Sequence, residues 1–164
     1  MDIIATAHGQ PPMRSLVPIV RTARARALTQ LAKADSLALL LGRLAIGLLF
    51  LSTGWGKVND LARVTEFFTS LHIPFPGFHA VLVGYSELLC GAAITTGLLT
   101  RLATLPLIVS MFVAILTARL DDVQGLFDLI GLEEFTYMVL LTMLLILGPG
   151  RASVDRWLER KLAA

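Results

Sequence analysis

Cysteine is almost missing from this chain. Cys90 stands alone, so no intramolecular disulfide can form and no CxxC thiol relay exists. Histidine is scarce as well. His8, His72 and His79 do not combine with Cys90 at any spacing that would ligate a structural metal, and no two of them are placed to hold a haem across a helix pair. No glycine-rich phosphate cradle and no Ser/His/Asp arrangement appears. Charge is thin at 16% of residues, where a soluble domain carries about 25%. The net charge of +2 and pI near 9.0 are too mild and too dispersed for a nucleic-acid surface. Internal repeats, linkers and low-complexity tracts are absent too.

What replaces these features is apolar sequence: 55% hydrophobic residues and a mean hydropathy of +0.75 over 164 residues. That balance points to the lipid bilayer. The pattern predicts one all-α, polytopic domain, a bundle of four transmembrane helices with short interfacial helices between them. The first span begins at Ser36, where SLALLLGRLAIGLLFLSTGWG places Arg43, Gly47, Phe50 and Gly54 on one helical face. Glycines on such a face let a neighbouring helix approach closely. Trp55 and Lys57 follow as interface anchors. Residues 58–78 are too polar to span. Val58, Leu61, Val64, Phe68 and Leu71 make an apolar stripe, so a short helix on the membrane surface is expected, ended by the turn at Pro74, Pro76 and Gly77.

The second span covers His79–Thr100, and the third runs from Leu102 to Leu120 with Pro106 near its start. Residues 121–134 carry Asp121, Asp122, Asp128, Glu133 and Glu134 and form a second surface segment. The fourth span, Phe135–Leu147, stops at Gly148-Pro149-Gly150.

Four crossings put both ends on one side. Ten cations then lie on that side (Arg14, Arg21, Arg24, Arg26, Lys33, Arg101, Arg151, Arg156, Arg160, Lys161), against Lys57, Arg63 and Arg119 on the other. The excess of Lys and Arg places both termini in the cytoplasm. The expected plan is a basic cytoplasmic tail over 1–35, a transmembrane domain over 36–150 and an amphipathic cytoplasmic tail over 151–164. Residues 15–34 are read either as a plain tail or as an interfacial helix on anionic lipid. They do not resemble a cleaved leader, because the apolar run follows a long basic segment without a small-residue cleavage site.

One carboxylate lies deep in this scheme. Glu87 sits near the middle of the second span, where an unpaired charge costs from about 2.5 to more than 10 kcal/mol. It is therefore expected to face the bundle interior with a cationic partner. Side chains on a helix lean toward its N-terminus. Lys57 leans back into the membrane and Glu87 leans toward the same outer boundary, so the two converge. Arg43 leans away, toward the cytoplasmic headgroups or an interior contact, and ranks second as partner. Tyr85 and Glu134 lie near the same level, and together these five residues are the candidate lining of a polar, outward-opening pocket. Cys90 is read as an inert packing residue.

The order of these pieces resembles the DoxX family of small bacterial membrane proteins. The resemblance covers about residues 36–156. It rests on LLLGRLAIGLLFLSTGWGK (Arg43 to Lys57), the IPFPGF turn, YSELLCGAAITTGLLTRLA with Glu87 and Gly91, and GPGRASVD with Gly148, Pro149, Gly150 and Asp155. It implies a four-helix protein of the bacterial inner membrane in which Arg43, Lys57, Glu87 and Asp155 are motif positions. Some members of that family are subunits of membrane oxidoreductases that pass electrons to quinone. Another belongs to a membrane-associated complex with a superoxide dismutase and a sulfurtransferase-like protein.

Three functions follow as expectations. The first is a membrane or quinone-site subunit of a redox complex, at most a quinone-binding subunit and with no cofactor of its own. A quinone needs an apolar slot with one or two polar groups for its carbonyls. The second is a structural or assembly partner, and the third a carrier of a small lipophile. The partners expected are the lipid bilayer and either other subunits or further copies of the chain, but not nucleic acid.

Overall fold

The structure is a computed structural model that describes residues 16–150 and 152–162, with side chains from residue 36 onward. The expectation for residues 1–15 lies outside the described residues. The chain divides between Asp35 and Ser36 into two compact units, and the second holds the helix bundle. The course is helical: α1 Leu16–Asn59, α2 Leu61–Ser70, α3 Pro76–Thr96, α4 Thr100–Ala114, α5 Leu126–Gly131, α6 Glu133–Leu147 and α7 Val154–Leu162. A π-helical turn, Ile115–Arg119, and a short tight turn, Leu120–Asp122, carry α4 onward.

Among the described residues three stretches are long and apolar enough to cross a membrane: Ser36–Asn59, Pro76–Thr96 and Thr100–Asp122. The fourth apolar helix, α6, has 15 residues, which at ~1.5 Å per residue gives about 22 Å, short of a hydrocarbon core of roughly 30 Å. Its first turn holds Glu133 and Glu134, so the helix starts at Glu133, the earlier of the two starts, Glu133 and Phe135, that the sequence leaves open. Negative charge there complements the helix dipole.

Helix boundaries follow the local chemistry. Asp60 accepts a hydrogen bond from the Arg63 backbone N–H at 3.2 Å and caps α2. Pro76 opens α3, where its missing N–H costs nothing. Gly97 ends α3 in a left-handed conformation, φ 76°. Its N–H and that of Leu98 both return to the Ala93 carbonyl, a closure for which glycine carries no steric cost.

The α1–α3 contact is the closest in the bundle. A Cβ on Gly47 would meet Thr95 Oγ1 at 2.6 Å, one on Gly54 would meet the backbone of Glu87 at 2.8 Å, and one on Gly91 would meet Phe50 at 2.8 Å and the Leu51 amide. Those glycines let the two backbones touch over two to three turns. Beside this seam α4 packs on α3, α6 on α4, and α2 on α3. The apolar core is Ile46, Phe50, Ile94, Leu107, Met111, Leu141 and Leu144.

Two contacts set the direction of α6. Arg119, at the far end of the third long stretch, pairs with Glu134 at 3.0 Å. Arg101, near its beginning, donates to the Ile146 carbonyl at 3.3 Å. The helix α6 therefore runs antiparallel to α4 along most of its length. The bundle has two ends, one marked by Lys57 and Arg119, the other by Gly97 and Pro149.

Candidate functional site

Near the Lys57 end, α1 and α3 bring the buried acid and its base together. Glu87 is 1% exposed, and Lys57, one helix away, is 30% exposed. The Lys57 ammonium donates to Glu87 Oε2. Thr53, one turn before Lys57 on α1, donates its hydroxyl to the same oxygen at 3.1 Å. The glycines explain why this geometry forms. Gly54 lets α1 close onto the backbone at Glu87 and Leu88, and a Cβ on Gly84 would lie 3.4 Å from the Lys57 side chain. Two donors on one oxygen offset much of the cost of desolvating the carboxylate.

The other candidate residues divide. Arg43 is not at this site and does not reach headgroups. It is 3% exposed, and its Nη1 donates to the Pro149 carbonyl at 2.8 Å. Tyr85 is turned away from Glu87 and is 45% exposed, because two residues on a helix subtend about 200°. Placing Tyr85 in the pocket is corrected on that ground: sharing a depth with Glu87 does not mean sharing a face. Glu134 pairs with Arg119, not with Lys57, and its second oxygen is buried without a partner. Tyr137, one turn further along α6, donates to Glu133 at 3.2 Å and lies edge-on to Phe50 at 6.1 Å.

The opposite end is held by backbone acceptors and donors. Asp155 accepts from the Leu99 N–H at 2.8 Å and the Thr100 N–H at 3.4 Å, which caps the start of α4. Its own N–H donates to the Gly97 carbonyl at 3.1 Å. Leu99 adopts a left-handed φ of 48°, a conformation that a branched side chain seldom takes and that the Asp155 contact supports. Gly148 and Gly150 also have positive φ, 80° and 77°, and between them present the Pro149 carbonyl to Arg43. Sequence reasoning did not name Thr53 or the Pro149 carbonyl. Thr53 was findable, since it precedes Lys57 by one turn; a backbone acceptor in a turn leaves no such trace. Among the described residues no three His, Cys, Asp or Glu side chains group as a metal site.

These features define an all-helical membrane protein whose principal buried charge is an acid–amine pair across a glycine-lined helix seam. The family model described as DoxX matches residues 38–120, and the chain belongs to the DoxX family. It is 37% identical to an uncharacterized membrane protein of Mycobacterium tuberculosis, over 74% of this chain and 82% of that protein. It is 33% identical to the inner membrane protein YqjF of Escherichia coli, over 79% of this chain and 98% of the relative. A more distant relative is CatD of Bacillus subtilis, provisionally named an oxidoreductase, with 29% identity over 67% of this chain and 77% of that protein. No solved structure matches the chain significantly.

Proposed function

We propose that this chain is a four-pass inner-membrane subunit of a redox complex, with both termini cytoplasmic, in which the Lys57–Glu87–Thr53 group binds the head of a quinone. The fourth crossing is α6. Its antiparallel course beside α4, between Arg119 and Arg101, supports that count. The cation excess at the Gly97 end supports the orientation.

One observation carries the ligand reading. Ile46 and Thr53 are seven residues apart and share a face of α1. Ile46 is buried at 2%, yet Thr53 is exposed although it bonds a buried carboxylate. The bundle is therefore tight on this face at the Gly97 end and open toward the Lys57 end. A quinone entering from lipid meets the Lys57 ammonium as donor for one carbonyl, with Glu87 holding the ammonium in place and the Thr53 hydroxyl holding the carboxylate. Phe50 and Tyr137 close the floor.

The test is quinone content. Protein purified in mild detergent retains quinone, and Glu87→Gln and Thr53→Val lose it while the fold persists. Quinone retained in both variants would overturn this reading. A second reading, an assembly partner without chemistry, is favoured by the backbone contacts at Gly54 and Gly91, which need only an ion pair to fix their register. It predicts that partner subunits co-purify with wild type and are lost from Lys57→Met, with no quinone in either. Reporter fusions at each terminus test the topology; opposite sides would rule out four crossings.

A further inference from the structure

The C-terminal helix α7 stands apart from the site just described. Its apolar residues Val154, Trp157, Leu158 and Leu162 follow at i, i+3, i+4 and i+8, one continuous stripe. All four are exposed, Trp157 at 55% and Leu162 at 87%. No residue of α7 is buried. A free tail could keep such a stripe by chance, but this helix is fixed at its first turn. Asp155 is bonded to Gly97, Leu99 and Thr100 at the α3–α4 turn, and Ser153 donates to the Gly150 carbonyl at 3.0 Å. The α3–α4 turn is where two membrane-crossing stretches end, so α7 starts at the level of the lipid headgroups. Around it Leu98, Leu99 and Leu102 are exposed as well, and the stripe continues the lipid-facing surface of the bundle.

The charges choose the kind of lipid. Arg160 flanks the stripe on the Trp157 side, Arg156 lies on the polar face behind it, and Arg101 lies at the neighbouring start of α4. Lys161 lies within the stripe, its ammonium 4.3 Å from the centre of the Trp157 ring. The ammonium over the indole face is a cation–π contact, which holds a positive charge beside the ring that enters the acyl boundary. Of the two acids, Asp155 is occupied in capping α4, and Glu159 borders the stripe on its Leu162 side, opposite Arg160.

We propose that α7 is an anionic-phospholipid binding element, lying in the headgroup plane with Trp157 inserted, Arg160 and Lys161 on lipid phosphates and Arg156 adding positive charge on the outer face. The Asp155 contacts set its place.

The experiment uses the full chain carrying Trp55→Phe, so that Trp157 is the only indole, reconstituted into zwitterionic bilayers or bilayers with one third anionic phospholipid. Quenching by lipid brominated near the headgroup reads insertion; acrylamide reads exposure to water. Each cation near an anionic surface favours the bound state by roughly fivefold. Brominated-lipid quenching should rise about twofold or more in the anionic bilayer and fall back in 1 M salt. The variant Arg156→Gln/Arg160→Gln/Lys161→Gln should show the zwitterionic value in both, while Asp155→Asn should insert less in both. Equal quenching of wild type in the two bilayers overturns the proposal. So does Trp157 protected from acrylamide but not reached by brominated lipid, the signature of a second copy or a protein partner covering the stripe. Because the triple variant leaves Asp155 and the bundle intact, its circular dichroism and melting should match wild type, which separates loss of binding from loss of fold.

Discussion

The Lys57–Glu87 pair should be asymmetric when broken from its two sides. Glu87 is 1% exposed and Lys57 is 30% exposed. Replacing Lys57 by Met strands a carboxylate that water does not reach, with only the Thr53 hydroxyl still donating to it. Breaking a buried pair in that way costs about 3–5 kcal/mol. Glu87→Gln leaves the opposite remainder. The amide oxygen still accepts from Thr53 and Lys57, and the ammonium has a route to water, so the loss is that of a charge-assisted hydrogen bond, roughly 1–2 kcal/mol. The double variant Lys57→Met/Glu87→Gln removes both charges and should lie near Glu87→Gln alone. That is a coupling of about 3–5 kcal/mol, the whole of the Lys57→Met loss, measurable in a double-mutant cycle. Unfolding by SDS titration from mixed micelles, followed by far-UV circular dichroism, gives all four stabilities. Equal single-variant losses, or additive ones, would refute the argument that burial of the acid governs this site.

Two further perturbations test the helix seam and the C-terminal tie. Gly91→Ala puts a Cβ against the backbone of Phe50 and Leu51, which cannot move aside as a side chain would. It should cost about 1–3 kcal/mol, whereas Gly42→Ala meets nothing within 4 Å and should be neutral or up to about 1 kcal/mol stabilising from helix propensity. The same SDS titration reads both, and equal effects would remove the seam from the account. Asp155→Ala takes the side-chain acceptor from Leu99 and Thr100. A cost of about 1 kcal/mol is expected for a lost helix cap, together with faster proteolytic cleavage after Gly150; an unchanged cleavage rate would count against the tie.

What the sequence made legible was whatever a helical period or a desolvated charge dictates. The face carrying Gly47, Phe50 and Gly54 packs inward as the spacing requires, and the leaning of side chains toward helix N-termini correctly ranked Lys57 above Arg43 as the partner of Glu87. Depth alone misled at Tyr85, since residues 85 and 87 share a level but not a face. The partner of Arg43 was illegible for a different reason. It is a main-chain carbonyl 106 residues away, presented by two glycines with positive φ, and backbone direction in a turn is fixed by tertiary contacts. The π-helical turn at Ile115–Arg119 likewise follows no local pattern; it re-aims Arg119 toward Glu134. The length of α6 shows the limit of hydropathy, for a helix that runs beside its neighbour from Glu134 to Ile146 falls below the length at which composition alone marks a crossing.

The two ends of the bundle are tied by different chemistry, and that decides where it can move. At the Gly97 end five hydrogen bonds join distant segments: Arg43 to Pro149, Leu99 and Thr100 to Asp155, the Asp155 amide to Gly97, and Arg101 to Ile146. Each has a backbone group as partner, and a buried backbone group left unpaired is costly, so these bonds part only if the turn itself rearranges. At the Lys57 end the ties are Lys57 to Glu87 and Arg119 to Glu134, side chain to side chain. The second pair is open to solvent on the arginine side, where screening weakens it. Motion that admits a ligand should therefore splay α1 from α6 at the Lys57 end and pivot about the Gly97 end. Spin labels in a Cys90→Ser background, placed at the exposed positions Trp55 and Thr136 for one end and Leu41 and Leu147 for the other, should give a broad distance distribution for the first pair and a narrow one for the second. Equal widths, or a broader distribution at the Gly97 end, would mean that backbone ties do not set the pivot.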